Sequence, residues 1–133
     1  MSDCIFCKII AGEIPSYKIY EDDSVYAFLD IACDSYGHTL VIPKKHCTSV
    51  LDCDRQQLDA VIEAVQKIAN HYVNELGFEG VNILNASGAS AEQTVFHLHF
   101  HVIPRKRGDN LHMWPLTGKQ ELDLAAICKK LAL

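Results

Sequence analysis

Apolar residues recur along this chain at two periods, and each period marks a different kind of element. From Arg55 to Asn74, Leu58, Val61, Ile62, Val65, Ile68, Ala69 and Tyr72 follow the i, i+3, i+4, i+7 spacing of one buried helical stripe. Asp54 is a good N-cap, because its carboxylate accepts first-turn N–H groups, and Gly77 suits the stop. Elsewhere the runs are short and rich in β-branched residues. Lys18–Glu21 and Val25–Leu29 are strand candidates around the turn-forming Asp22-Asp23-Ser24. His38–Pro43, "HTLVIP", is a well-buried strand, and Val81–Asn85 and His97–Pro104 complete the set. Cys4–Ile10 predicts a short first helix ended by the Gly12–Pro15 region, and Lys119–Leu131 a final amphipathic helix. Strands joined by short turns and mixed with one long helix predict an α+β domain on an antiparallel sheet.

Length and composition narrow this picture without changing it. The 133 residues fit one domain able to bury a core, with no repeat, linker or low-complexity segment. Apolar residues make up 49% and charged residues 22%, ordinary for a globular protein. A net charge of -5 supplies no basic field for DNA, RNA or an anionic membrane. The start, Met1-Ser2-Asp3, lacks a basic segment followed by an apolar one, so no signal peptide is expected. No apolar run reaches the roughly 18–20 residues of a membrane helix. A cytoplasmic protein with six reduced cysteines is therefore expected. Four of them, Cys33, Cys47, Cys53 and Cys128, are scattered and read as small buried hydrophobes. Cys4 and Cys7 form a C-x-x-C pair.

The stretch Phe96–Ile103, "FHLHFHVI", holds the densest chemistry. On a strand, His97, His99 and His101 line one face at roughly 6.5–7 Å intervals. Leu98, Phe100 and Val102 take the other face. For seven histidines in 133 residues, H-x-H-x-H arises by chance about once in fifty such chains. Three adjacent rings would repel one another if protonated, which makes a merely structural use awkward. Two chemical readings stay open on the residues alone. Imidazole is a common metal ligand, and a neutral imidazole is a nucleophile or acid–base group near pH 7.

The segment His97–Ile103 resembles the His-φ-His-φ-His-φ-φ signature of the histidine triad (HIT) family of nucleotide hydrolases and transferases. "CIFCKIIAGEIPSYKIYEDDSVYAFLDI", "GHTLVIPKKH" and "NASGASAEQTVFHLHFHVIPR" resemble that family's N-terminal, second and catalytic blocks, so the likeness spans about residues 4 to 105. It implies a HIT-like fold with about five antiparallel strands, one long helix and a C-terminal helix, in a homodimer joined sheet edge to edge. It implies that His99 attacks an α-phosphorus to form a nucleotidyl-histidine intermediate, with His101 at the α-phosphate and His38 packed beside the triad. Thr94, Gln93 and Asn85 fall where the family places polar phosphate-pocket residues. Phe6, Phe28 and Ile31 fall at the base pocket, and Asp30 at the ribose hydroxyls. Taken singly, the two Phe residues would be plain core and Asp30 a turn residue. Only their joint register with the triad makes them site candidates.

The same resemblance implies a structural zinc held by Cys4, Cys7, His46 and His97, a closed Cys2His2 set. Residues 106–133 depart most from the family. Trp114 there is expected to cover the pocket or a dimer contact, or to be a packed aromatic. The basic run Arg105-Lys106-Arg107 is either a polyphosphate attractor or a solvated turn. The implied activity is hydrolysis of purine nucleoside phosphoramidates or related nucleotidyl compounds to a nucleoside monophosphate such as AMP. The alternatives are a dinucleoside polyphosphate hydrolase and a nucleotide-binding signalling or scaffold protein without turnover. A disulfide-redox use of Cys4 and Cys7 lacks the βαβ setting of such motifs.

Overall fold

The structure is a computed structural model that describes residues 3–114 and 118–133. Met1, Ser2 and residues 115–117 of the variable tail lie outside the described residues. The elements run α1 (Ile5–Ile10), β1 (Lys18–Glu21), β2 (Val25–Leu29), β3 (Thr39–Pro43), α2 (Arg55–Asn70), β4 (Gly80–Leu84), β5 (Phe100–Arg105) and α3 (Leu124–Leu131). The five strands form one sheet in the order β1-β2-β3-β5-β4, every neighbouring pair antiparallel. The α+β architecture expected from the patterning is the one observed.

The sheet buries both faces, against different partners. Val25, Ala27, Val41 and Val102 pack on α2 through Val61, Ala64, Val65 and Ile68. Phe28, Leu40 and Ile42 point the other way, against Phe6 and Ile9 of α1. This two-sided burial explains why β3 is buried at all five positions and reads as a continuous apolar run. Ile62, expected in the buried stripe, is 45% exposed. It lies roughly 100° around the helix from Val61, and Ala64 on the opposite flank takes the buried place.

Helix α2 is capped as expected, with Asp54 accepting from the Gln57 N–H at 2.8 Å. Past Asn70 it widens into one π-helical turn, His71–Glu75. There the Tyr72 hydroxyl lies 2.6 Å from Thr39 Oγ1, tying the helix end to β3. Gly77 ends the segment in the left-handed region at φ 81°.

Two elements start later than their patterns predict. β5 begins at Phe100 rather than His97, because the Leu98 N–H donates to the Cys47 carbonyl at 2.8 Å and draws that segment towards the loop after β3. α3 begins at Leu124 rather than Lys119, where Asp123 caps it by accepting from the Ala126 N–H. None of its residues is buried. Gly37 is required where it stands. Its φ is 76°, and a Cβ there would come within 2.8 Å of Pro104 Cγ. That close approach seats the start of β3, and so His38, against β5. Among the described residues no helix is long and apolar enough to cross a membrane.

Candidate functional site

Five of the seven histidines gather on the α1 face of the sheet into two adjoining groups. His97 is completely buried. Its Nε2 lies 2.8 Å from the Pro43 carbonyl oxygen, so that nitrogen carries the proton and donates it. The bare Nδ1 then turns towards Cys4 Sγ at 3.4 Å, Cys7 Sγ at 3.6 Å and His46 Nδ1 at 3.2 Å. Cys7 Sγ is 3.5 Å from His46 Nδ1. Separations of this size match the edges of a tetrahedron whose corners lie about 2.0–2.3 Å from its centre, the bond lengths of zinc to imidazole and thiolate. Burial pushes His97 down to about 4, with His46 and His99 adding to the effect, which keeps its lone pair available. Burial and the adjoining Cys4 raise the Cys7 thiol. A cation between them would offset that cost. The donor set and its spacing therefore fit zinc, as expected. All six cysteines are unpaired thiols, but the four scattered ones are not the buried hydrophobes expected: Cys47 and Cys53 are half-buried, and Cys33 in the β2–β3 loop and Cys128 on α3 are exposed.

His99 is tied by the opposite nitrogen. Its Nδ1 lies 2.8 Å from the His97 carbonyl oxygen, so Nδ1 donates and Nε2 is left as a bare lone pair. Burial lowers its pKa, which holds the ring neutral. The ring forms a wall of a cavity of about 350 Å³. Phe6, Phe28 and Ile31 supply apolar wall, and Asp30, Thr94 and His101 polar wall. The Phe6 ring stands edge-on to both Phe28 and His99, with centroids 5.4 and 5.2 Å away. A mostly apolar cleft with a few converging polar groups is the usual form of a small-molecule site.

His101 faces the same cavity and is braced from behind. Its Nδ1 is 2.8 Å from His38 Nε2, and His38 Nδ1 is 2.7 Å from Asp34 Oδ1. Burial, then the neighbouring His99 and His38, push His101 down to about 4. Asp30, His38 and His101 also place three ligand-type atoms within 4.8 Å of one another. Two of those atoms are already committed to the His38–His101 hydrogen bond, which favours a proton path over a metal seat.

Most of the expected site residues thus converge, and two do not. Gln93 is buried, but its amide donates to the Thr48 and Val95 carbonyls and accepts from the Gly88 N–H. Asn85 donates to the His99 carbonyl at 2.9 Å. Both brace the backbone around the cavity and are absent from its lining, because the curled loop uses their amides as backbone partners. Part of the basic run is engaged within the chain, while Arg107 is exposed. Arg105 is engaged by Asp109, Asn82 and the Leu111 carbonyl, and the Lys106 ammonium sits 5.1 Å over the Phe78 ring. Trp114 is 81% exposed, so it is not packed within the described chain. Asp34 is the site group that the sequence did not single out. Its only local signal is an i, i+4 relation to His38, which no regular element makes meaningful.

Comparison with known proteins agrees with this geometry. The HIT domain matches residues 11–108. A HIT-like protein of Borreliella burgdorferi is 54% identical over 111 residues, 82% of this chain and 80% of that protein. Adenylylsulfatase HINT3 of Arabidopsis thaliana is 43% identical over 110 residues, 83% of this chain and 56% of that longer protein. The crystal structure of a zinc-bound histidine triad family protein from Mycobacterium smegmatis superposes with a TM-score of 0.79 at 40% identity, covering 84% of this chain and 81% of that one. With the triad, the sheet and these relatives in agreement, the chain belongs to the HIT family.

Proposed function

We propose that this protein is a nucleotide hydrolase that cleaves the α-phosphorus bond of nucleoside phosphoramidates or other nucleotidyl compounds and releases a nucleoside monophosphate. The observation that carries this reading is His99. It is a neutral imidazole with Nδ1 donated to a backbone carbonyl and Nε2 bare on the wall of a mostly apolar cleft. A nucleophile so arranged needs no activating base.

In this reading the base lies between Phe6, Phe28 and Ile31, and the Asp30 carboxylate accepts from the ribose hydroxyls. His99 Nε2 attacks the α-phosphorus while the bond to the leaving group breaks. His101 and Thr94 stand beside the phosphate, while Asn85 holds the His99 carbonyl and Gln93 the loop that carries Thr94. Water then attacks the phosphorus of the nucleotidyl-His99 intermediate, returning the electron pair to Nε2. Cys4, Cys7, His46 and His97 would hold a zinc ion that links α1 to the catalytic segment and supplies structural stability. A homodimer joined through a sheet edge belongs to the same reading, since it would pair an open strand edge. Adenylylsulfatase HINT3 and the family resemblance support a nucleotidyl substrate. The engagement of Arg105 with Asp109 takes one of the three basic residues away from the dinucleoside polyphosphate alternative, and leaves Lys106 and Arg107 exposed.

The test is mass spectrometry of the protein mixed with an AMP phosphoramidate and quenched in alkaline denaturant, which preserves a phosphorus–nitrogen bond, together with His99→Asn. A nucleotidyl adduct mapped to His99, and its loss in the variant while AMP still binds, is the expected result. Turnover surviving His99→Asn within about tenfold would refute the mechanism.

A further inference from the structure

Asp34 lies in the loop between β2 and β3, where its carboxylate is 59% exposed, yet it makes a 2.7 Å contact with the nearly buried ring of His38. It also borders a second depression on the far side of the loop, of about 660 Å³, lined by Tyr36, Phe78 and Pro104 and open to solvent. A continuous chain of polar atoms therefore runs from solvent at Asp34, through both nitrogens of His38, to the back nitrogen of His101 at the cavity wall.

The direction of those hydrogen bonds is decided by charge. An ionised carboxylate only accepts, so His38 Nδ1 carries a proton. If His38 were neutral, its Nε2 would accept from His101 Nδ1. His101 would then turn a bare Nε2 lone pair towards an anionic phosphate. If His38 is an imidazolium, it donates to His101 Nδ1, and His101 presents Nε2–H to the cavity. His38 faces Asp34 at 2.7 Å, Asp30 Oδ2 at 3.8 Å and His101, and His101 in turn faces His99. Two carboxylates thus stand within 4 Å of one ring, an arrangement that complements positive charge on it. Asp34 is the nearer, and it is the one that does not line the nucleotide cavity.

We infer that Asp34 is a positioning residue. As the anionic end of an Asp34–His38–His101 relay, it keeps a transferable proton on the cavity side of His101. The inference rests on the hydrolase reading above only for the use of that proton. As the bond from phosphorus to the leaving group breaks, the leaving atom takes the Nε2 proton of His101. The His38 Nε2 proton moves to His101 Nδ1, and His38 becomes neutral while still donating Nδ1–H to Asp34. When water attacks the intermediate, its proton goes to His101 Nε2 and the shift reverses. No proton is consumed by the relay over the cycle.

The test compares wild type, Asp34→Asn and Asp34→Glu. Asn keeps an oxygen that accepts from His38 Nδ1 while removing the charge. Nitrogen-15 NMR of the histidine rings needs no substrate. It should show His38 holding both ring protons up to a pH about one unit higher in wild type than in Asp34→Asn. With an AMP phosphoramidate, the alkaline limb of kcat should move to lower pH by the same interval in Asp34→Asn, with KM within about twofold, and Glu should restore both readouts. The sign follows because removing the anion lets His38 lose its proton earlier. An NMR titration of His38 unchanged by Asp34→Asn would overturn the inference, whatever the kinetics. An NMR shift in a protein that hydrolyses no nucleotidyl compound would leave the relay standing and sink the hydrolase reading instead.

Discussion

His97 and His99 are two residues apart and both buried, and each gives one nitrogen to a backbone carbonyl. They differ in which nitrogen. His97 gives Nε2 to Pro43 and leaves Nδ1 for two sulfurs and a second imidazole. His99 gives Nδ1 to His97 and leaves Nε2 for an apolar cavity. In the reading proposed above, a carbonyl oxygen placed on one side of a ring or the other thus separates a ligand from a nucleophile in otherwise similar side chains. Both rings are kept neutral by burial, so the separation is one of direction and not of basicity.

The sharpest way to break this comparison is to remove each ring's free nitrogen in turn. His99→Asn should lower hydrolysis by roughly 10³-fold or more while zinc content and thermal stability stay near wild type. His97→Asn should do the reverse at first order, releasing metal and destabilising the fold. If both variants lose metal alike, the division between the two rings is wrong. Next in size is chelation of the metal from the unaltered protein. At free zinc about a thousand times its dissociation constant, bound zinc contributes about 4 kcal/mol, so chelation should produce a clear fall in Tm. Cys7→Ser should mimic it and lose sensitivity to the chelator.

A smaller effect comes from pH. Burial holds His97 and His101 at about 4 in the folded chain, against an ordinary 6.5. The unfolded chain therefore takes up protons first as pH falls. In chelator-treated protein the stability is complete above about pH 6.5 and declines towards pH 4, by at most about 1.4 kcal/mol per unit for each ring. Urea midpoints across that range should show the decline, and His101→Gln should reduce its slope. A flat profile would show that the rings are not held neutral. The smallest expected effect is a control on the opposite face of the sheet. Thr39→Val removes the partner of the buried Tyr72 hydroxyl and should cost about 1–2 kcal/mol by denaturation. Zinc content and kcat should not move.

Much of this arrangement is legible in the chain before it folds. The alternation in "FHLHFHVI" puts His99 and His101 on one wall, and β3's apolar run announces a strand buried on both faces. What the chain hides are long-range choices. The two cysteines reach His97 across about ninety positions, through the packing of Phe6 and Ile9 on the sheet. The late start of β5 depends on one hydrogen bond from Leu98 to the Cys47 carbonyl. Gln93 and Asn85 occupy expected positions but face the backbone, since whether an amide lines a cavity or closes a loop is decided by rotamer and loop path. Asp34 carries no motif, and its meaning arises only when Gly37 presses the turn against Pro104 and carries His38 to His101.

Phe6 sits in the chain between Cys4 and Cys7, and its ring lies 5.8 Å from His97 and 5.2 Å from His99. One side chain thus borders both the Cys4–Cys7–His46–His97 cluster and the cavity that His99 lines. If the cluster holds zinc and the cavity a nucleoside, as proposed above, losing the ion would free α1 and take one wall from the cavity while His99 stayed intact.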